Sequence, residues 1–247
     1  MKKQIVYFLV LGFFILSASC SKDDKEKDKP KPDPEPPAPE TITDIDGNSY
    51  IVVDIGDQKW MAENLRTTKY NDGTDILYLE ENSDWQNELT AAYCWYDNDI
   101  SNKNKYGVLY NWLAVNSEIL CPEGWRVPTH DDWVKLEGYV DSEYDANSEV
   151  WDASDARGAD AGTKLKSKDG WINNGNGTDA FKFKAVPAGF RTYNGLFESA
   201  GEKAYWWSTQ EAMVIFAYNR NLNADEAGVL RNQNLKTRGL SVRCVKE

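Results

Sequence analysis

Histidine is almost missing from this chain: its 247 residues include one, His130. A serine, histidine and aspartate relay or a centre built from several imidazoles is therefore excluded or strongly disfavoured. Cysteine is scarce as well. Of four, Cys20 directly follows the leader, which leaves Cys94, Cys121 and Cys244 in the remainder. There is no HExxH pair, no Gly-x-Ser-x-Gly elbow and no phosphate-cradling glycine loop ending in lysine, so no convergent catalytic set is legible and the chain reads as non-enzymatic. Excess positive charge is lacking too: 28 Lys and Arg face 40 Asp and Glu, for a net charge of -12 that becomes -14 once Lys2 and Lys3 are removed with the leader. Such a chain repels phosphate backbones, and nucleic acid is set aside as a partner. What is abundant is aromatic surface, ten Trp and thirteen Tyr, enough for a large core and more typical of β-rich secreted and binding proteins.

The leader explains where such a chain is expected to work. Lys2 and Lys3 precede an apolar run from Ile5 to Leu16 and then Ser17, Ala18 and Ser19, the pattern of a cleaved export signal over residues 1–19. The run is too short to span a bilayer. Small residues leading directly into Cys20 resemble a bacterial lipobox, although Ser17 stands where a leucine is usual, and this resemblance implies lipidation at Cys20. Ser21-Lys22-Asp23-Asp24 looks like the acidic export tag of Bacteroidetes surface lipoproteins. The expected location is thus the outer membrane, held by the lipid and facing the exterior. Residues 20–40 carry six of the nine prolines among charges of both signs and nothing large to bury. They read as an extended tether, at about 3.1 Å per residue in polyproline II.

Residues 41–247 then read as one domain. Asp46-Gly47 and Gly56-Asp57 are turn signals in an opening β-meander, with β-rich Tyr50–Ile55 between them. Asp44, Asp46 and Asn48 could suggest calcium, but the glycine comes too early for an EF-hand loop and a turn is the simpler reading. Tyr93–Tyr96 reads as a buried strand meeting an Asn/Asp-rich loop. Tyr106, Leu109, Tyr110, Leu113 and Ala114 recur at helical spacing and predict a helix ending near Ser117. A second helix is predicted from about His130: Thr129 is a good N-cap, Asp131 and Asp132 suit the first turn, and Trp133, Leu136 and Val140, with Tyr139 beside them, form an apolar stripe. His130 itself is expected to be exposed. Asp141–Asp160 reads as polar and mobile. Phe181, Phe183 and Ala185 alternate with Lys182 and Lys184 as a half-buried strand does, and further strands are expected at Ala204–Thr209, Met213–Arg220, Ala227–Arg231 and Gly239–Val245. Adjacent strand residues point to opposite faces, so Trp206 and Trp207 cannot enter the same core, and one is expected at a groove or in solvent.

Five segments, Ile55-Gly-Asp-Gln-Lys-Trp-Met-Ala-Glu-Asn-Leu65, the run ending at Tyr96, Tyr106-Gly-Val-Leu-Tyr-Asn-Trp112, Cys121-Pro-Glu-Gly-Trp-Arg-Val-Pro128 and Ser241-Val-Arg-Cys-Val245, resemble in order the Fibrobacter succinogenes major paralogous domain (FISUMP), a family of surface lipoproteins. Gly124–Trp133 and the terminal Val-Arg-Cys-Val also look like sulfatase-modifying-factor and C-type-lectin-like folds. The resemblance implies an α+β, C-type-lectin-like architecture: two main helices on a twisted antiparallel sheet, long irregular loops and termini close together. It further implies a disulfide between Cys121 and Cys244, which leaves Cys94 as a buried free thiol; export favours such pairing.

The ligand is much less legible. Trp171, Asn173, Asn174, Asn176, Asp179, Trp206 and Arg220 are the candidate binding residues, since aromatic faces stack on sugars while amides and charges fix hydroxyls. Asn173, Asn176 and Asp179 are in addition weak calcium candidates, and a long turn accounts for them equally well. No cofactor is expected beyond that ion, and the sugar-holding motifs of calcium-dependent lectins are absent. The expected function is a non-enzymatic binding module for surface glycan or protein; the alternative is a structural or assembly subunit of a surface filament or envelope complex.

Overall fold

The computed structural model describes residues 38–247. The expected signal 1–19, Cys20 and most of the tether lie outside the described residues. Among the described residues no helix is long and apolar enough to cross a membrane.

The strands in chain order are β1 Thr41–Thr43, β2 Ser49–Ile55, β3 Gln58–Met61, β4 Leu77–Tyr78, β5 Ala92–Cys94, β6 Leu109–Tyr110, β7 Trp125–Arg126, β8 Ala156–Arg157, β9 Ala188–Arg191, β10 Phe197–Ala200, β11 Lys203–Met213, β12 Phe216–Asn223, β13 Val229–Leu235 and β14 Val245–Lys246. The helices are α1 Asn82–Asn87, α2 Lys103–Tyr106, α3 Trp112–Val115, α4 His130–Val140 and α5 Ala161–Leu165. They build an α+β domain with a sheet of order β1-β2-β3-β14-β7, a sheet of order β10-β9-β11-β12-β13-β8 and a small sheet β4-β5-β6. Pairing is antiparallel except at β9–β11 and β4–β5. The last strand, β14, pairs with β3 in the same sheet as β1 and β2, so the two ends of the domain do meet.

The opening turns form as the residues dictate. Asp44 accepts hydrogen bonds from the amides of Asp46 and Asn48 (3.0 and 2.9 Å) and from the Tyr50 hydroxyl, while Gly47 takes the left-handed conformation that closes the turn, φ 81°. Its carboxylate is therefore engaged inside the chain. At α4 the predicted cap is present in both directions: Thr129 Oγ1 accepts from the Asp132 amide (3.2 Å) and Asp132 Oδ2 from the Thr129 amide (2.7 Å). Trp133, Leu136 and Val140 are buried as expected, but Tyr139 is exposed and lies over Gly56.

Only α4 is long, at eleven residues; the expected second main helix does not form. Tyr106–Val115 is instead a helical turn, a strand and another turn. Gly107, at φ 82°, breaks the backbone, and a Cβ there would sit 2.6 Å from Asn64 Cβ. Asn111 then caps α3. The apolar spacing was misleading because residues 106–112 are buried continuously, with no polar face to turn outward. Phe183 and Ala185 are buried between exposed lysines as predicted, yet this is no strand: Lys182 and Lys184 both have positive φ, 57° and 52°, and the alternation comes from these reversals. Asp141–Asp160 is folded onto the domain rather than loose. Trp151 is buried with Nε1 bonded to the Asp145 carbonyl (2.8 Å), and Asp141 accepts from the amides of Ala159, Asp160 and Ala161. Finally, β12 begins later than expected, because residues 214–215 form the β11–β12 turn.

The six-stranded sheet is covered on both faces, and this corrects the expectation for the tryptophan pair. Trp207 enters a core with Tyr110, Trp112, Leu240 and Val242, while Trp206 enters a second core with Trp60, Trp133 and Phe183. Both are buried, and each indole N–H finds an acceptor, Asn64 Oδ1 for Trp206 and the Tyr110 carbonyl for Trp207, both at 2.8 Å. Cys121 and Cys244 are joined by a disulfide that closes a separation of 123 residues, and Cys94 is free and buried. Burial pushes the Cys94 thiol up to about 12.

Candidate functional site

The disulfide, the capping box and β14 bring the start of α4 against β7 and the chain end, and an open trough runs round this junction. It consists of three adjoining cavities. One of about 380 Å³ lies between the β2–β3 turn and β14, lined by Asp57, Lys59, Arg126, Lys135 and Lys246 among others. It shares Arg126 and Glu247 with a second of about 360 Å³, which reaches Val115 and Glu118 and in turn shares Thr129 and Thr209 with a third. The third, about 320 Å³, is lined by Thr129, His130, Asp131, Thr209 and Gln210.

Several of the charged groups along the trough are fixed by partners. Arg126 holds Asp132 through both terminal guanidinium nitrogens, the Nη2 contact being 3.0 Å, and with Thr129 this keeps the Asp132 carboxyl below its usual range despite burial, which acts the other way. Lys59 bridges Asp54 and Glu40, each at 2.8 Å. Lys135 and Lys246 are exposed and available.

Behind His130 lies a buried ionic cluster. Glu137, on the inner face of α4, is wholly buried and bonded to Arg220 Nε (2.5 Å) and Arg157 Nη2 (2.8 Å). Arg220 Nη2 reaches His130 Nδ1 at 2.8 Å, and Arg231 stands directly across the ladder from Arg220. Burial lowers the Arg157 pKa to about 10. Burial, helped by Arg220 and Arg231, lowers that of His130. His130 is half-buried rather than exposed as the sequence suggested, because Arg220 draws the ring against the sheet.

The residues singled out from the sequence are not gathered on one solvent-facing surface. Trp171 and Trp206 are buried in the second core and Arg220 is buried against Glu137, so none of the three offers a face to solvent. Asn173, Asn174 and Asn176 are exposed and Asp179 is half-buried. Asn176 Oδ1 accepts from the Trp171 amide (3.0 Å) and Asp179 Oδ1 from the Lys184 amide (2.7 Å), which ties both to the local turn. Gly175 and Gly177 serve packing: a Cβ on them would come within 2.5 Å of the Ala224 carbonyl and 2.4 Å of the Thr163 carbonyl. Among the described residues no three His, Cys, Asp or Glu side chains gather as a metal centre would require.

Sequence reading missed Glu137, Arg157 and Arg231. A signal for the first was present, since Glu137 falls on the stripe of Trp133, Leu136 and Val140, and a charge on a buried face demands a buried partner. The trough, by contrast, joins residues of three of the segments that carry the family resemblance: Gly56 to Lys59, Arg126 and Val245.

No curated protein and no solved structure matches the chain. The family model of the Fibrobacter succinogenes major domain matches residues 53–246, from β2 through β14, and the chain belongs to that family.

Proposed function

We propose that the protein is a non-enzymatic lipoprotein of the outer membrane surface, anchored through Cys20 and extended on its tether, whose domain binds glycan or protein ligands along the trough at the start of α4. The observation that carries this reading is the trough itself: three adjoining open cavities that share lining residues and are polar and mixed in charge. A binding role is further supported by the state of the reactive groups. Cys94 is buried with its thiol held protonated, and His130 is engaged by Arg220, so neither is poised as a nucleophile or base. We infer in addition a C-type-lectin-like fold, supported by the Cys121–Cys244 bridge and the meeting of the domain ends.

A glycan array probed with and without calcium tests the reading. The expected result is binding that Lys135→Glu combined with Lys246→Glu weakens without loss of stability; a blank array in both conditions, or binding indifferent to those substitutions, counts against it. The assembly reading has its own observation, the β11–β12 turn, where Met213, Val214 and Ile215 are 58, 88 and 58% exposed. Pull-down of a stable protein complex from intact cells, together with no glycan affinity, favours that alternative.

A further inference from the structure

The cluster behind His130 contains many donors and few acceptors. Two guanidiniums, of Arg157 and Arg220, take both oxygens of the one buried carboxylate, Glu137, and a third, of Arg231, stands across the ladder from Arg220 with its Nη2 on the Asp152 carbonyl. That leaves an excess of positive charge in a chain whose net charge is -12. Arg220 and Arg231 are direct cross-strand partners, a placement in which like charges repel. Arg220 Nη1 has no partner among the described residues and, of all the buried guanidinium nitrogens without one, it is the only terminal Nη.

The imidazole points the same way. A guanidinium has no acceptor, so the 2.8 Å contact with Arg220 Nη2 requires His130 Nδ1 to accept, and in the neutral ring the proton sits on Nε2. That Nε2–H faces Arg231 Nη1 at 3.5 Å, donor toward donor. Neither can satisfy the other. Both residues are half-buried, and His130 lines the 320 Å³ cavity at the end of the trough. Asp131 is the one acidic side chain lining that cavity, and Arg231 stands beside the imidazole from β13.

We propose that His130 and Arg231, with the buried Arg220 behind them, form an oxyanion-binding subsite at this end of the trough, taking a carboxylate or sulfate group, and that the group belongs to an acidic saccharide. The second part rests on the glycan reading given above; the first does not. An oxyanion accepting from His130 Nε2–H and Arg231 Nη1 supplies the acceptor that the protein lacks there, and its charge offsets the repulsion between the paired arginines.

His130 is the only histidine, so NMR of its imidazole in the full-length protein, without a histidine tag, observes the subsite alone. With sulfate replacing chloride at constant ionic strength, the expected result is a saturable shift of the ring resonances and an upward move of the imidazole titration midpoint, because a nearby anion favours the charged ring. Shifts that fail to saturate, or that chloride reproduces, overturn the proposal. Arg231→Gln is expected to weaken sulfate about tenfold or more, the loss of a charge-assisted hydrogen bond; unchanged affinity overturns it. Should that variant fold poorly, the wild-type midpoint decides by itself. Glucuronate and glucose separate the two parts. Glucuronate binding more tightly than sulfate, with glucose silent, supports the saccharide. Equal affinity for glucuronate and sulfate leaves the subsite standing and removes the saccharide, and saturation by neither anion refutes the subsite whatever the glycan array shows.

Discussion

Strands β12 and β13 are lined on one face by asparagines and on the other by arginines, and the two faces have solved their polarity in opposite ways. On the first, Asn219 Nδ2 donates to the Asn232 carbonyl (3.1 Å), Asn232 Nδ2 to Asn221 Oδ1 (2.7 Å) and Asn221 Nδ2 to Asn223 Oδ1 (3.0 Å). An amide carries both donors and an acceptor, so a ladder of amides supplies most of its own partners, and here only the Asn219 Oδ1 acceptor is left over. On the second face Arg220 and Arg231 carry donors only. They depend on Glu137, on His130 and on the Asp152 carbonyl, and still leave Arg220 Nη1 over. The lesson is that burial on a sheet does not make a polar face inert. The kind of hydrogen-bonding group decides what each face has left over, an acceptor at Asn219 on one and a charged donor at Arg220 on the other.

The comparison breaks most readily at Glu137. Glu137→Gln leaves two buried guanidiniums facing a neutral group and is expected to destabilise the domain by about 3–5 kcal/mol, measured as a lowered urea midpoint at unchanged slope. A much smaller loss places the arginines in contact with water and ends the contrast between the faces. Sulfate is expected to restore more stability to this variant than to the wild type.

A smaller effect is expected on the amide face. Asn221→Ala removes an acceptor from Asn232 and a donor from Asn223 and is expected to cost about 1–2 kcal/mol. Because the two residues share one bond, Asn221→Ala with Asn232→Ala is expected to cost less than the two separate losses together, a difference read from a double-mutant cycle. Strict additivity would show that the ladder is not a unit.

The pH dependence sharpens the contrast, since only the arginine face contains a group titrating near neutrality. The folded-state pKa of His130 is lowered from its ordinary value of 6.5, so between the two values the unfolded chain binds more protons than the native one. Stability from this source is complete above about pH 6.5 and is lost as the pH falls toward the folded-state pKa. His130→Gln is expected to flatten that window in urea titrations. Loss below the ordinary range of carboxylates, where Asp132 and Asp141 take up protons, is expected to remain. The smallest change belongs to Arg231→Gln without added anion. It forfeits a bond to the Asp152 carbonyl but relieves the repulsion with Arg220, and a melting temperature within about 2 °C of wild type is expected.

Much of the scaffold was legible because its causes are local. The capping box at Thr129 and Asp132, the turn at Asp46-Gly47 and the inward stripe of α4 need only neighbours in sequence. The family resemblance likewise placed Cys121 beside Cys244 across 123 residues. The candidate ligand residues were less legible for an equally physical reason. Trp206 and Arg220 have the chemistry of a binding surface, but whether a strand face meets solvent depends on what packs over it, and no spacing along one strand records that.

The chain by itself determined the acidic balance, the start of α4 and the alternation that sends Trp206 and Trp207 to opposite faces. Only the tertiary structure decided that both faces are covered, that Gly107 divides an apparent helix, and that Glu137 must serve two arginines at once. Capping and alternation act over a few residues and can be read in order. Charge balance inside a domain depends on which distant strands the helix is laid against, and for His130, Arg157, Arg220 and Arg231 that is fixed only when α4 docks on the sheet.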